Sequence, residues 1–134
     1  GTFGGNPVSC AAGAATIRVI IDERLDINAK ERGYQILKGL KEIQAEFPDI
    51  GDVRGLGLMA ATEFVKNDES KSGYEPDPDI VNAVKSEAVK QKLLLLSCGT
   101  YGNVIRWIPP LIVTEKQINE ALSIFRDVLK KITS

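Results

Sequence analysis

Between Val53 and Val65 the side chains alternate in character, whereas the other long apolar patterns of the chain recur at spacings of three and four. Leu56, Leu58, Ala60, Thr62 and Phe64 alternate with Gly57, Met59, Ala61, Glu63 and Val65, the period of a strand that buries one face. A lone strand leaves its backbone donors and acceptors unpaired, so the chain must supply others. Two shorter runs answer that demand, Leu93 to Leu96 and Val104 to Ile108, joined by the turn Ser97-Cys98-Gly99-Thr100-Tyr101-Gly102-Asn103. Pro109-Pro110 stops the last strand, because proline cannot donate to a ladder. The sheet expected is small, about three strands, and mostly antiparallel.

Helical patterns surround it. Gly1-Thr2-Phe3-Gly4-Gly5-Asn6-Pro7 reads as a loop feeding a helix, with Asn6 as cap and Pro7 at the first helical position. Val8, Ala11, Ala12, Ala15 and Val19 share one face, and the small residues of this segment suggest close packing against another element. A break is expected near Asp26-Ile27-Asn28, where Asn28 and Glu31 resemble a capping box. Ile36, Leu37, Leu40, Ile43 and Phe47 then form the stripe of a second helix that Pro48 ends. Residues 66 to 79 read as an exposed polar loop, and Ile80, Val81, Val84 and Ala88 as a short amphipathic helix. Thr114 with Gln117 forms another capping box, ahead of the stripe Ile118, Ala121, Leu122, Phe125, Leu129 and Ile132. The fold class is therefore α+β, a sheet covered by helices and preceded by a long broken helix. The whole of 1–134 reads as one unit, with 1–47 as loop and linking helices and 48–134 as the α+β part.

Composition narrows the functions open to such a fold. Lys and Arg number 17 against 18 Asp and Glu, with no basic stripe, which argues against a nucleic-acid partner. No apolar run approaches the roughly 20 residues of a membrane helix, and no secretory leader pattern opens the chain. Cys10 and Cys98 are too few for a disulfide framework; they fit a reducing cytoplasm and read as small buried apolar residues. Histidine is absent, which excludes Ser-His-Asp and Cys-His machinery within these residues and removes the commonest zinc ligand. No metal site is expected. The chain opens at Gly1 inside a glycine-rich segment, the expectation for a piece of a longer protein.

Two places could carry chemistry. The opening loop sets Thr2 and glycine-freed N–H groups before a helix N-terminus, a candidate phosphate cradle, although glycines in such a place more often mark a turn. Arg106 interrupts the apolar strand Val104-Ile105-Arg106-Trp107-Ile108. It either points to a solvated sheet face or grips an anion, to which guanidinium offers a flat two-pronged donor. Arg54, beside Gly55 and Gly57, suits a structural role with a surface ion pair, and its two glycines suit close backbone approach. Trp107 and Tyr101 read as packing residues, and Lys38, Lys41, Lys130 and Lys131 as solvated.

Three segments taken together resemble the class III aminotransferases: the opening loop 1–7, then Val53-Arg54-Gly55-Leu56-Gly57-Leu58-Met59, then Asn103-Val104-Ile105-Arg106-Trp107-Ile108-Pro109-Pro110-Leu111. They occur in the family's order and span nearly the whole chain. The turn 98–103 looks most like that of 4-aminobutyrate aminotransferases, with ornithine and acetylornithine aminotransferases as near relatives. The resemblance implies the C-terminal small domain of a fold-type I enzyme that uses pyridoxal 5'-phosphate. It implies a homodimer in which Thr2 reaches the cofactor phosphate of the other subunit. It implies that Arg106 binds the carboxylate of an amino-acid substrate, the amino group passing to a 2-oxo acid. The family's Schiff-base lysine lies upstream of the glycine-rich loop, and no lysine here matches it, so these residues contain no catalytic residue and are expected to be inactive alone. Two other readings compete: a stand-alone α+β module that holds a small carboxylate through Arg106, and a structural dimerisation domain built on the alanine-rich first helix.

Overall fold

The structure is a computed structural model that describes residues 1, 4–66 and 74–133. The elements run α1 (Pro7–Asp22), α2 (Leu25–Glu46), β1 (Ile50–Leu56), β2 (Met59–Phe64), α3 (Pro78–Lys90), β3 (Leu96–Cys98), β4 (Val104–Trp107) and α4 (Glu115–Thr133). The strands form one antiparallel sheet in the order β1-β2-β4-β3. It has four strands where about three were expected, because the long alternating run is a hairpin. Gly57 at φ +54° reverses the chain, so Leu56 faces Met59 across the turn.

Burial follows the pleat. Val53, Ala60, Thr62, Phe64, Ile105 and Trp107 point to one face and are buried there against Ile36, Leu40 and Ile43 of α2, Val84 of α3, and Phe125 and Leu129 of α4. Ile50 and Val53 reach the same face although they are three residues apart, since the register shifts between Ile50 and Asp52 and adds a residue to β1. The opposite face carries Arg54, Leu56, Met59, Leu96 and Arg106, all exposed. Two buried polar groups satisfy each other, Trp107 Nε1 donating to Thr62 Oγ1 at 2.9 Å and joining β2 to β4 beneath the helices.

Two caps stand as expected. Asn6 Oδ1 accepts from the N–H groups of Val8 and Ser9, and Thr114 and Gln117 exchange the two bonds of a capping box. The expected box at Asn28 and Glu31 does not form. The helices break earlier, at Glu23-Arg24, where Arg24 takes the left-handed conformation at φ 52° and α2 starts at Leu25. Asn28 lies inside α2 and donates instead to the carbonyls of Leu111 and Val113, tying the segment after β4 to the helix. The strand expected over Leu93 to Leu96 begins only at Leu96 and runs to Cys98. Of the polar loop, Lys66 and Glu75 form an ion pair and Val65 bridges to Pro76, while 67–73 lie outside the described residues.

The first helix departs furthest from expectation. None of its side chains is buried by the described residues, and Val8, Ile17, Val19 and Ile21 stand exposed. The close packing read from its alanines finds no partner here. Cys10, on that helix, is exposed, and Cys98 is half-buried, so neither is the buried apolar residue expected.

Close approach of backbone is concentrated where α2 crosses the hairpin turn. A Cβ added to Gly33 would overlap the carbonyl of Gly57, and one added to Gly55 would sit 2.5 Å from the Met59 carbonyl oxygen. Gly33→Ala must therefore push α2 off the hairpin. Such overpacking costs about 1–3 kcal/mol, more than the gain in helix propensity of roughly 1 kcal/mol at most. Thermal unfolding should show a net loss of stability; an unchanged or raised midpoint would mean that α2 does not press on the turn.

Candidate functional site

The open face of the sheet brings both arginines singled out in the sequence into one row. Arg54 on β1 pairs with Ala61 on β2, Ala61 pairs with Arg106 on β4, and Arg106 pairs with Leu96 on β3. The next row holds Asp52, Glu63, Val104 and Cys98. The two guanidinium groups thus stand on either side of a small alanine, on a face that also carries Leu56, Met59, Leu96 and the carboxylates Asp52 and Glu63.

Their electrostatic situations differ. Arg54 Nη1 is 2.6 Å from Asp52 Oδ2 and 2.5 Å from Glu63 Oε2, and these carboxylates raise its pKa, Asp52 foremost. Partial burial pushes the Glu63 carboxyl up, but hydrogen bonds from Arg54, Tyr74 and Asn103 outweigh it and hold the group below the usual carboxylate range. Tyr74, its hydroxyl desolvated and bonded to Glu63, is pushed up to about 12. Asn103 is buried and donates to the Phe64 carbonyl at 2.9 Å and to Glu63 Oε1 at 3.3 Å. Arg54 has the structural ion pair read from the sequence. Its partners Asp52 and Glu63 were not singled out there, nor were Tyr74 and Asn103, which bond Glu63; recognising the hairpin would have placed Asp52 and Glu63 beside Arg54.

Arg106 pairs with no carboxylate among the described residues. Its backbone is fixed between Ile105 and Trp107, both buried, while its side chain is exposed. It also borders an apolar cleft of about 450 Å³ that includes Leu94, Leu96, Trp107, Pro109, Ile118 and Leu122. Among the described residues lining that cleft Arg106 alone is charged. A guanidinium beside an apolar cleft is suited to an anion attached to a short hydrocarbon chain.

The opening loop offers less than its glycines suggest. Thr2 lies outside the described residues. The first free N–H groups of α1, those of Val8 and Ser9, are already taken by Asn6, and Pro7 has none. The helix end is thus occupied, and of the loop amides that of Gly4 donates to the Gly1 carbonyl at 3.0 Å, while Gly5 stands at φ +83°. Tyr101 is exposed on the turn before β4, and Trp107 packs edge-on against Phe125 with ring centres 4.9 Å apart. Among the described residues no group of histidine, cysteine or carboxylate side chains could hold a metal ion, and no helix is long and apolar enough to cross a membrane.

Compared with known families, residues 1–129 match aminotransferase class-III. The chain belongs to the class-III aminotransferase family. It is 40% identical over 132 residues to the 5-aminovalerate aminotransferase of Pseudomonas putida, covering 98% of this chain and 30% of that protein. It is 40% identical over 129 residues to the 4-aminobutyrate aminotransferase of Mycobacterium leprae, covering 96% of this chain and 28% of that one. Among solved structures, the acetylornithine aminotransferase of Elizabethkingia anophelis superposes with a TM-score of 0.80 at 31% identity, over 98% of this chain and 32% of that chain. The chain spans about 30% of the length of the curated relatives it matches. Aminotransferases of this class work with pyridoxal 5'-phosphate on amino acids and 2-oxo acids.

Proposed function

We propose that these residues form the C-terminal part of an aminotransferase that moves the amino group of an ω-amino acid, such as 4-aminobutyrate, to a 2-oxo acid. We place the whole enzyme in the cytoplasm as a homodimer. The observation that carries the reading is the unpaired Arg106 at the centre of the open sheet face, between Ala61 and Leu96. In this reading the guanidinium takes the substrate carboxylate through two parallel N–H donors, which fixes the direction in which the hydrocarbon chain leaves the sheet. The apolar surface around it excludes water and strengthens that pairing.

Pyridoxal 5'-phosphate, when bound, supplies the electron sink for the bond-breaking step. The part assigned to this chain is to hold and orient. Thr2 would donate its hydroxyl to a phosphate oxygen, and no lysine of this chain matches the family's Schiff-base lysine. A charge-assisted bond of that kind contributes on the order of 1.5–3 kcal/mol. Thr2→Ala in the full-length dimer should accordingly weaken cofactor retention about tenfold or more while leaving the fold intact. Equal retention of cofactor through dialysis by parent and variant would reduce the loop to a turn.

A second reading, acetylornithine as the donor, is favoured by the solved relative at 31% identity, since that substrate also carries a carboxylate for Arg106. The experiment that decides is a donor panel. The full-length protein loaded with cofactor should convert 4-aminobutyrate or 5-aminovalerate faster than ornithine or acetylornithine, read by the change in cofactor absorbance. Preference for acetylornithine would establish the second reading, and no conversion of any donor would sink both.

A further inference from the structure

β4 is only four residues long, and the chain leaves it through two prolines. Arg106 is the last of its residues that β3 pairs, opposite Leu96, and Trp107 alone follows it in the strand. The Thr62–Trp107 bond and the pairing with β2 keep β4 from sliding, but the ladder stops at Trp107. Pro109 and Pro110 have no N–H to give, so the backbone beyond the strand cannot extend it. The segment makes one turn bond of its own, from the Val113 N–H to the Pro110 carbonyl at 2.9 Å. Among the described residues, the hydrogen bonds that tie 109–113 to another element both come from Asn28. Its Nδ2 donates to the Leu111 carbonyl at 2.7 Å and to the Val113 carbonyl at 3.0 Å. At the other end of the strand, buried Asn103 directly precedes Val104 and donates to the Phe64 carbonyl at 2.9 Å. The strand that carries Arg106 is therefore held at its entry and at its exit by two asparagine amides.

We propose that Asn28 is a positioning residue for the substrate carboxylate, pinning the exit of β4 so that the strand end with Arg106 stays in its paired place. The proposal rests on the reading of Arg106 as the carboxylate-binding group. Helix propensity does not explain an asparagine inside α2, where alanine would be the better former. What Asn28 contributes is its reach across the fold. Without its amide the Leu111 and Val113 carbonyls turn to water, and the exit is held by the buried Val113 side chain, with Leu111 and Ile112 exposed before it. The strand end then spends part of its time unpaired. A ligand that needs the guanidinium in place binds more weakly in proportion to the time it is displaced. Gln35, further along α2, supplies the contrast. Its Nε2 donates to the Glu115 carbonyl at 3.0 Å and to Asn119 Oδ1 at 2.7 Å, joining α2 to α4 and leaving the exit of β4 alone.

The test uses the full-length enzyme loaded with cofactor, with the half-reaction followed by cofactor absorbance. Asn28→Ala should raise the half-saturating concentration of 4-aminobutyrate about three- to tenfold, the effect of losing one or two ordinary hydrogen bonds. The limiting rate should change little, and butylamine, which has the same chain without a carboxylate, should be converted as by the parent. The thermal midpoint should stay near the parental one, because better helix propensity offsets the lost bonds. Asn28→Asp keeps the shape but sets an acceptor against two carbonyls, and should weaken 4-aminobutyrate binding at least as much. Gln35→Ala removes a comparable tie of the same helix and should leave that binding parental. Parental half-saturation in either Asn28 variant would overturn the proposal, and so would a loss shared equally by butylamine or by Gln35→Ala, the sign of a merely structural role. Arg106→Lys, measured alongside, separates the two ideas. Weakened binding in Arg106→Lys with parental binding in Asn28→Ala would discard only the role of Asn28. Parental binding in Arg106→Lys would discard the reading of Arg106 and the proposal with it.

Discussion

Arg106→Ala in the full-length enzyme is expected to lower kcat/KM for an ω-amino-acid donor about 30- to 1000-fold, or roughly 2–4 kcal/mol of transition-state binding. The size of the loss follows from the setting. Ile105 and Trp107 lock the backbone on either side, so the point from which the guanidinium reaches a carboxylate is fixed. No acidic side chain among the described residues pairs with it. Lysine would bring the charge without the fork, and Arg106→Lys should therefore be damaging too. The decisive comparison is between donors: the loss should be large for amino acids and much smaller for amines that lack a carboxylate. A folding defect would depress both alike. Equal losses for the two kinds of donor, or none, would make Arg106 an ordinary surface residue of the sheet.

Phe125→Ala should destabilise the protein by about 3–5 kcal/mol, the range for truncating a large buried aromatic. Phe125 is wholly buried on α4 and meets Phe64 and Trp107 edge-on, with centroids 6.5 Å and 4.9 Å away. It thus presses on β2 and β4 together, directly under the strand that carries Arg106. Truncation leaves a void against three layers of side chains, none of which can collapse without shifting its element. Urea unfolding would measure the loss as a lower midpoint. A decrease below about 1 kcal/mol would mean that the core relaxes around the void.

The parts of the fold that local chemistry dictates were legible in the sequence. Asn6-Pro7 and the Thr114–Gln117 pair mark helix starts by bonds made within a few residues, and α4 shows its buried stripe at helical spacing. The hairpin was not legible, because Leu58 within the turn is apolar and itself buried, so the alternation runs unbroken in the sequence from Leu56 to Phe64. Reversal at Gly57 instead exposes Leu56. Asn28 misled for another reason: its partners, the carbonyls of Leu111 and Val113, lie more than eighty residues away and only the fold brings them near. Arg106 stood out in the sequence as a charge within an apolar strand. The Glu63 cluster did not, since its meaning depends on which strands are neighbours.

The Thr62–Trp107 bond and the burial of Ile105 and Trp107 leave Arg106 on a strand that cannot slide relative to β2. With Arg106 as the carboxylate anchor, the sheet acts as the fixed jaw of a calliper, and the reacting end of the cofactor as the other. A donor one methylene longer could not be accommodated by easing the strand. It would require the whole sheet layer to stand further off, or the hydrocarbon chain to buckle between the jaws. Discrimination of about 1–3 kcal/mol per methylene in a shaped pocket would then be written outside the strand itself, in the contacts that set the spacing of the layer. Relatives acting on four-carbon and five-carbon donors could share Arg106 and its flanking residues unchanged, and differ in what holds the two jaws apart.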